Sequence, residues 1–343
     1  MSRLCRVTVT SVRRSTVIVC AAIALAACGG SPAKPAARTP KVTYSPLSGM
    51  PVTSPDQRVL VVKVENTAPA RPQLGLSEAD IVFVEEVEGG ITRFAAVYSS
   101  QRPETVGPVR SARITDPQLV AQFGSVAFAY SGAQAKMAPV LRAASLIEVR
   151  ESRSGTGWTR STERDAPHNL YGHPTGLLEQ AGEGVSEAVD IGREFSQEPP
   201  SGGTAVASVV AKYPAERMTI DWLGTGWQVS SGKDIITDGA PVRPGSILIQ
   251  YVKQAPSQFH DRHGGVTPFA ETIGSGTGVY LRDGRYWRVT WQRPTESDPT
   301  TWLDATGQPV QFARGTIWNL LVPKDRRVEI TRPAAGASPS TSP

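Results

Sequence analysis

One short stretch decides more about this chain than any other. Residues 16–27 form an apolar run preceded by Arg3, Arg6, Arg13 and Arg14, and it stops at Leu25-Ala26-Ala27-Cys28 before Gly29 and Gly30. A charged start followed by about a dozen apolar residues has the dimensions of a signal h-region. A helix that crosses a bilayer needs ~20 apolar residues. Whatever folds must therefore fold from the residues that follow.

Small residues ahead of a cysteine let the segment lie extended in a peptidase groove, and the thiol is the nucleophile that takes the diacylglyceryl group. Leu25-Ala26-Ala27-Cys28 matches a bacterial lipobox, with 1–27 as the signal peptide and Cys28 as the lipidated first residue of the mature chain. Arg13-Arg14 also suggests a twin-arginine signal, but the residues after the pair fit it poorly. The expected location is the cell membrane, lipid-anchored on its extracytoplasmic face.

This reading changes what charge and cysteine content mean. The chain has 36 basic and 31 acidic residues; the signal peptide removes four arginines and no acid, leaving 32 against 31. The pI near 9.2 thus belongs largely to the discarded peptide, and nucleic acid is not an expected partner. Cys5 and Cys20 lie in the signal and Cys28 is acylated, so no thiol remains for a disulfide, a nucleophile or a thiolate metal site. About 300 residues suffice to build one or two cores without such staples.

Residues 28–45, rich in Pro, Ala and Gly, read as a disordered tether, and 331–343 as a disordered tail. Between them, 59–66, 81–87, 93–100 and 125–131 are β-rich runs bounded by turn formers. Stretches 116–123, 133–144 and 175–188 have helical spacing, with Asp116 as N-cap and Pro117 at the first helical position. At 197–204 the chain turns to QEPPSGGT, a linker signal. Beyond it 205–213, 217–221, 226–230, 247–253, 278–282, 286–292 and 316–322 read as strands, with Asp283-Gly284 as a hairpin turn. The expectation is an α+β (or α/β) N-terminal domain, 46–196, with a mixed sheet, followed by a smaller mainly-β C-terminal domain, 205–330.

Several polar motifs can carry chemistry. In Gly107-Pro108-Val109-Arg110-Ser111-Ala112-Arg113, two guanidiniums precede a helix and suit a carboxylate or phosphate; they can equally pair with Glu85, Glu86, Glu88 or Asp116 and pin the loop. Strand alternation would put Glu86 and Glu88 on one face, as an acid/base pair, a cation site or counter-charge for the arginines. His168 beside Asp165, with Asn169 next to it, can act as a base or simply hold its loop. His260-Asp261-Arg262-His263 looks like a metal cluster, but no third ligand is apparent, and no metal or cofactor is expected. Trp287, Trp291, Trp302 and Trp318 read as core or half-buried sheet residues.

The segments EGGITRF at 88–94, GPVRSAR at 107–113 and APHNLY at 166–171, with ARPQLGLSEADIV at 70–82 after Glu65-Asn66, resemble the YerB-like family of bacterial lipoproteins. The resemblance runs from about Pro46 to Pro323, and Gly307, Gly315, Thr316 and Trp318 resemble the family's C-terminal domain. It implies an uncharacterised N-terminal domain followed by a second, β-rich domain, and it carries over no activity. Polar residues within the matched motifs, Arg71, Glu88, Arg93, Arg110, Arg113, His168 and Asn169, are the candidate ligand-binding set. Three functions compete. The first is an envelope lipoprotein binding an anionic ligand, a cell-wall fragment or an envelope protein. The second is a hydrolase or transferase using His168 with a carboxylate such as Glu88, and the third is a structural interaction module.

Overall fold

A computed structural model describes residues 42–151 and 156–334. The expected signal peptide, lipidated Cys28, most of the tether and the end of the tail lie outside the described residues. The protein is mostly sheet with few, short helices. Strands β1 (Leu60–Glu65), β2 (Ile81–Glu86), β3 (Thr92–Tyr98), β4 (Val126–Tyr130) and β5 (Leu146–Arg150) form a mixed sheet in the order β2-β3-β1-β4-β5. β3 runs antiparallel to β1 and β2, whereas β4 and β5 run parallel to β1.

The sheet continues into the sheet-rich second half. The strand Ile317–Pro323 lies parallel to β2, with Ile81 opposite Ile317, and carries Ser246–His260, Gly274–Arg282, Arg285–Arg293 and Thr301–Leu303 beyond it. Arg282 pairs with Arg285 across a turn in which Asp283 and Gly284 both have positive φ, the geometry that the Asp-Gly pair predicts. A second sheet, of five strands, is built from Arg217–Trp222 and its neighbours, and Glu329–Thr331 joins its edge, so Thr331 ends a strand. At the other end of the described chain, Ser45 is buried and, with Ser48, Ser99 and Ser100, donates a hydroxyl hydrogen bond to Asp80.

The apolar residues of β1, β2 and β3 fall at consecutive positions because both faces are buried, which removes the need for alternation. Leu60, Val62, Val64, Val82, Val84, Phe94 and Ala96 pack on one side with Met218, Ile220 and Val229 of the small sheet. Val61, Ile81, Phe83, Ala95 and Val97 pack on the other with Leu119, Phe123 and Leu141 from α1 (Thr115–Val120), the short turn after it and α2 (Ala138–Ala143). Trp291, Trp302 and Trp318 are buried as expected, and Trp287 is half-buried.

Three local expectations are corrected. Helix α3 is Pro174–Ala181, ending where Gly182 takes φ 72°, not at 188. Asp116 is not the N-cap of α1, which begins at Thr115; its carboxylate turns inward to the Arg113 backbone N–H at 2.6 Å and Lys63 Nζ at 2.7 Å. The chain leaves β2 at Glu86, so Glu86 and Glu88 diverge: Glu86 accepts from Arg326, and Glu88 faces Arg113.

Candidate functional site

The face of the sheet that packs against α1 is apolar until its end, where Lys63, Glu65, Glu85 and Arg93 replace aliphatic residues. Arg93 sits in the central strand, opposite Glu65 of β1 and Glu85 of β2. Taking such charges out of water costs several kcal/mol per ion unless each finds a partner. Most do. Lys63, fully buried, lies between Glu85 and Asp116; burial pulls its pKa down to about 8, against the opposing pull of Asp116. Arg113 donates from Nε to Glu88 at 2.7 Å and from Nη1 to the Ala112 carbonyl at 2.8 Å, and Thr267 also donates to Glu88. Arg110 Nε lies 3.1 Å from Glu65.

Arg93 is different. It is only 7% exposed, and its Nη1 donates to the Ser111 carbonyl at 3.0 Å. Among the described residues no carboxylate lies within ion-pairing distance of it, because Glu65 is taken by Arg110 and His168, and Glu88 by Arg113. Burial, with Arg113 nearby, lowers its pKa to about 9, although Glu88 opposes the shift. Arg93, Arg110, Ser111, Arg113 and Glu88 line a cavity of about 560 Å³. Its other wall is the turn after β4, with Gln134 and Met137, and the tip of the hairpin Ser246–His260/Val266–Glu271, which brings His260, Asp261, Arg262 and His263 to the lining. Asp261 Oδ1 shapes that tip by accepting from the His263 and Gly265 N–H groups, each at 2.8 Å. Four guanidiniums and two carboxylates line this cavity, so its field favours an anion.

The remaining candidate residues lie elsewhere. His168 Nδ1 is 3.0 Å from Glu65 Oε2, so its carboxylate partner is Glu65 and not Glu88, and it borders the cleft only through the Glu65–Arg110 pair. Thr67 donates to the same carboxylate at 2.8 Å. Asn169 bridges Arg160 and the Ser161 carbonyl. Arg71 reaches into the small sheet, donating to Asp234 at 2.8 Å, Glu216 at 3.1 Å, and Ser231 Oγ at 2.6 Å. Lys63 and Glu65 had no candidate role in the sequence; Glu85 and Asp116 figured only as counter-charges for the arginines, and both face Lys63 instead. The signal that could have marked Lys63, Glu65 and Glu85 is a charge inside an otherwise apolar strand.

Three comparisons bear on this arrangement. The family model described as "Protein of unknown function (DUF3048) N-terminal domain" matches residues 47–186, and that for its C-terminal domain matches 208–318. A protein of Bacillus subtilis (strain 168) named "Putative lipoprotein YerB" is 52% identical over 77 residues, which span 22% of this chain and 23% of that protein. The crystal structure of the YerB protein from Bacillus subtilis superposes with a TM-score of 0.72 at 26% identity, covering 84% of this chain and all of that one.

Proposed function

The chain belongs to the YerB-like DUF3048 family, and from that premise we propose that it is a membrane-anchored envelope lipoprotein whose cleft binds an anionic ligand. The anchor is the acylated Cys28, and the ligand is a wall fragment or another envelope anion reaching the outer face of the membrane. We read the fold as α+β, with sequence units 46–196 and 205–330 sharing the large sheet.

The observation that supports the binding reading is Arg93. A buried guanidinium with one carbonyl acceptor and no carboxylate partner is costly, and a bound anion removes that cost. The other two arginines of the wall, already oriented by Glu65 and Glu88, present their remaining N–H groups without further ordering. A second reading, a hydrolase or transferase, draws on the His168–Glu65 pair: a carboxylate holding Nδ1 is the arrangement that orients an imidazole as a base. It needs a substrate bond within reach of Nε2.

The test is thermal unfolding of the full-length chain in nonionic detergent with phosphate, sulfate, citrate or a neutral sugar. Ligands that bind the native state raise the melting temperature by mass action. At least one anion, and not the sugar, should raise it in the wild type and not in Arg93→Gln. A set of flat melting curves would shift the reading to a protein partner.

A further inference from the structure

The class of anion can be narrowed from the donors in the wall; the inference rests on the anion-binding reading above. A guanidinium carries five N–H donors in one plane. Arg93 commits Nη1 to the Ser111 carbonyl, and Arg113 commits Nε and Nη1. Arg110 meets Glu65 through Nε. Among the described residues, Arg93 Nε and Nη2, both Nη atoms of Arg110 and Arg113 Nη2 donate to no protein acceptor. The free donors therefore belong to three guanidinium planes that border one cavity. A carboxylate's two oxygens and their lone pairs lie in one plane, so a single guanidinium edge matches them while guanidiniums in other planes meet them poorly. A tetrahedral oxyanion directs its oxygens along several axes, so several guanidiniums can share it.

Two further features describe what is attached to that oxyanion. The cavity of about 560 Å³ falls within the roughly 300–1,000 Å³ of small-molecule sites, and one oxyanion leaves much of it open. Gln134 lines the same space; its Nε2 is committed to the His260 carbonyl at 2.8 Å, while its Oε1 is buried and lacks a donor. An unmet acceptor in the wall calls for a hydroxyl or N–H on the ligand.

We infer that the cleft is a phosphoryl site. It takes a phosphate group carried on a small hydroxyl-bearing body, with the phosphoryl oxygens on Arg93, Arg110 and Arg113 and the body beneath the 260–263 tip against Gln134. The test is calorimetric titration of the full-length chain in nonionic detergent at constant ionic strength, using inorganic phosphate, glycerol 3-phosphate, glycerophosphoglycerol and succinate. Glycerol 3-phosphate should bind at least tenfold tighter than succinate and several-fold tighter than inorganic phosphate. Arg93→Gln should remove the first preference, and Gln134→Leu the second. Arg110→Gln, at a partly exposed side chain, serves in place of Arg93→Gln if that variant does not fold. Stronger binding of the diester would assign the group to a polymer linkage or lipid headgroup; stronger binding of the monoester would assign it to a small metabolite. Succinate binding as tightly as the phosphates would overturn the phosphoryl assignment and leave an anion site standing. Binding of no probe would end both.

Discussion

Arg71 and Arg93 stand in motifs of equal prominence, and both side chains are largely withdrawn from water, yet their surroundings differ. Arg71 spends its two Nη atoms on the Asn66 and Ser231 carbonyls, Ser231 Oγ, Glu216 and Asp234. It fastens the end of β1 to the small sheet. Arg93 has a single carbonyl acceptor and a cavity beside it. Burial alone therefore does not separate an arginine that holds the fold from one that waits for a ligand. The count of committed donors does.

The largest expected effect would break this contrast if it failed. Arg71→Gln leaves Glu216 and Asp234 without their cation and should destabilise the protein by about 3 kcal/mol, near the low end for a broken buried pair because Asp234 is partly exposed. Arg93→Gln removes a charge that burial already disfavours, and should stay within about 1 kcal/mol of the wild type. Urea unfolding of the two variants measures both. Equal losses would mean that Arg93 is as structural as Arg71.

Lys63 sharpens the contrast through pH. It is flanked by two carboxylates, yet burial holds its pKa at about 8, against 10.5 for an ordinary lysine. Between those values the unfolded chain binds a proton that the native state has released, so stability should rise with pH from about 8 to about 10.5. Arg93, at about 9, acts in the same direction over the upper part of that window. Comparing wild type with Lys63→Met/Glu85→Gln isolates the lysine: between pH 8 and pH 10 the wild type should gain on the order of 2 kcal/mol relative to the variant. A difference independent of pH would show that Lys63 keeps an ordinary pKa.

What the sequence made legible follows the same division. Strands β1 to β3 were readable because two-sided burial puts apolar residues at consecutive positions, and Trp227–Ser231 because its burial alternates. Glu88, Arg110 and Arg113 were readable as candidates because they lie in turns next to strand ends, and Arg93 because it is a charge at the start of an apolar strand; that these four share a cavity while Arg71, His168 and Asn169 lie elsewhere was not. The sequence did not say which residues would saturate Arg71, since Glu216 and Asp234 are 145 and 163 positions away. Nor could it bring His260–His263 and Arg93 to one cavity: that convergence depends on Ile317–Pro323 pairing with β2 and carrying the long hairpin beyond it. Asp116 carried a local cap signal, but a lysine buried in β1 took its carboxylate instead.

Glu88 gives the finest test, since it touches the basic wall without being part of it. Its carboxylate holds Arg113 and accepts from Thr267, and it also places a negative charge in the cavity where the anion would sit. Glu88→Gln keeps an acceptor for Arg113 Nε, turns the atom that Thr267 meets into an N–H donor to the Thr267 hydroxyl, and removes that charge. Even with the screening of bulk water, one fewer like charge ~4 Å away is worth about 1 kcal/mol, so binding of phosphate should tighten at least roughly fivefold. Titration of the variant with inorganic phosphate reads this directly. A weaker or unchanged affinity would mean that Arg113 needs the full ion pair to keep its place, as Arg71 needs its carboxylates, and the anion wall would then reduce to Arg93 and Arg110.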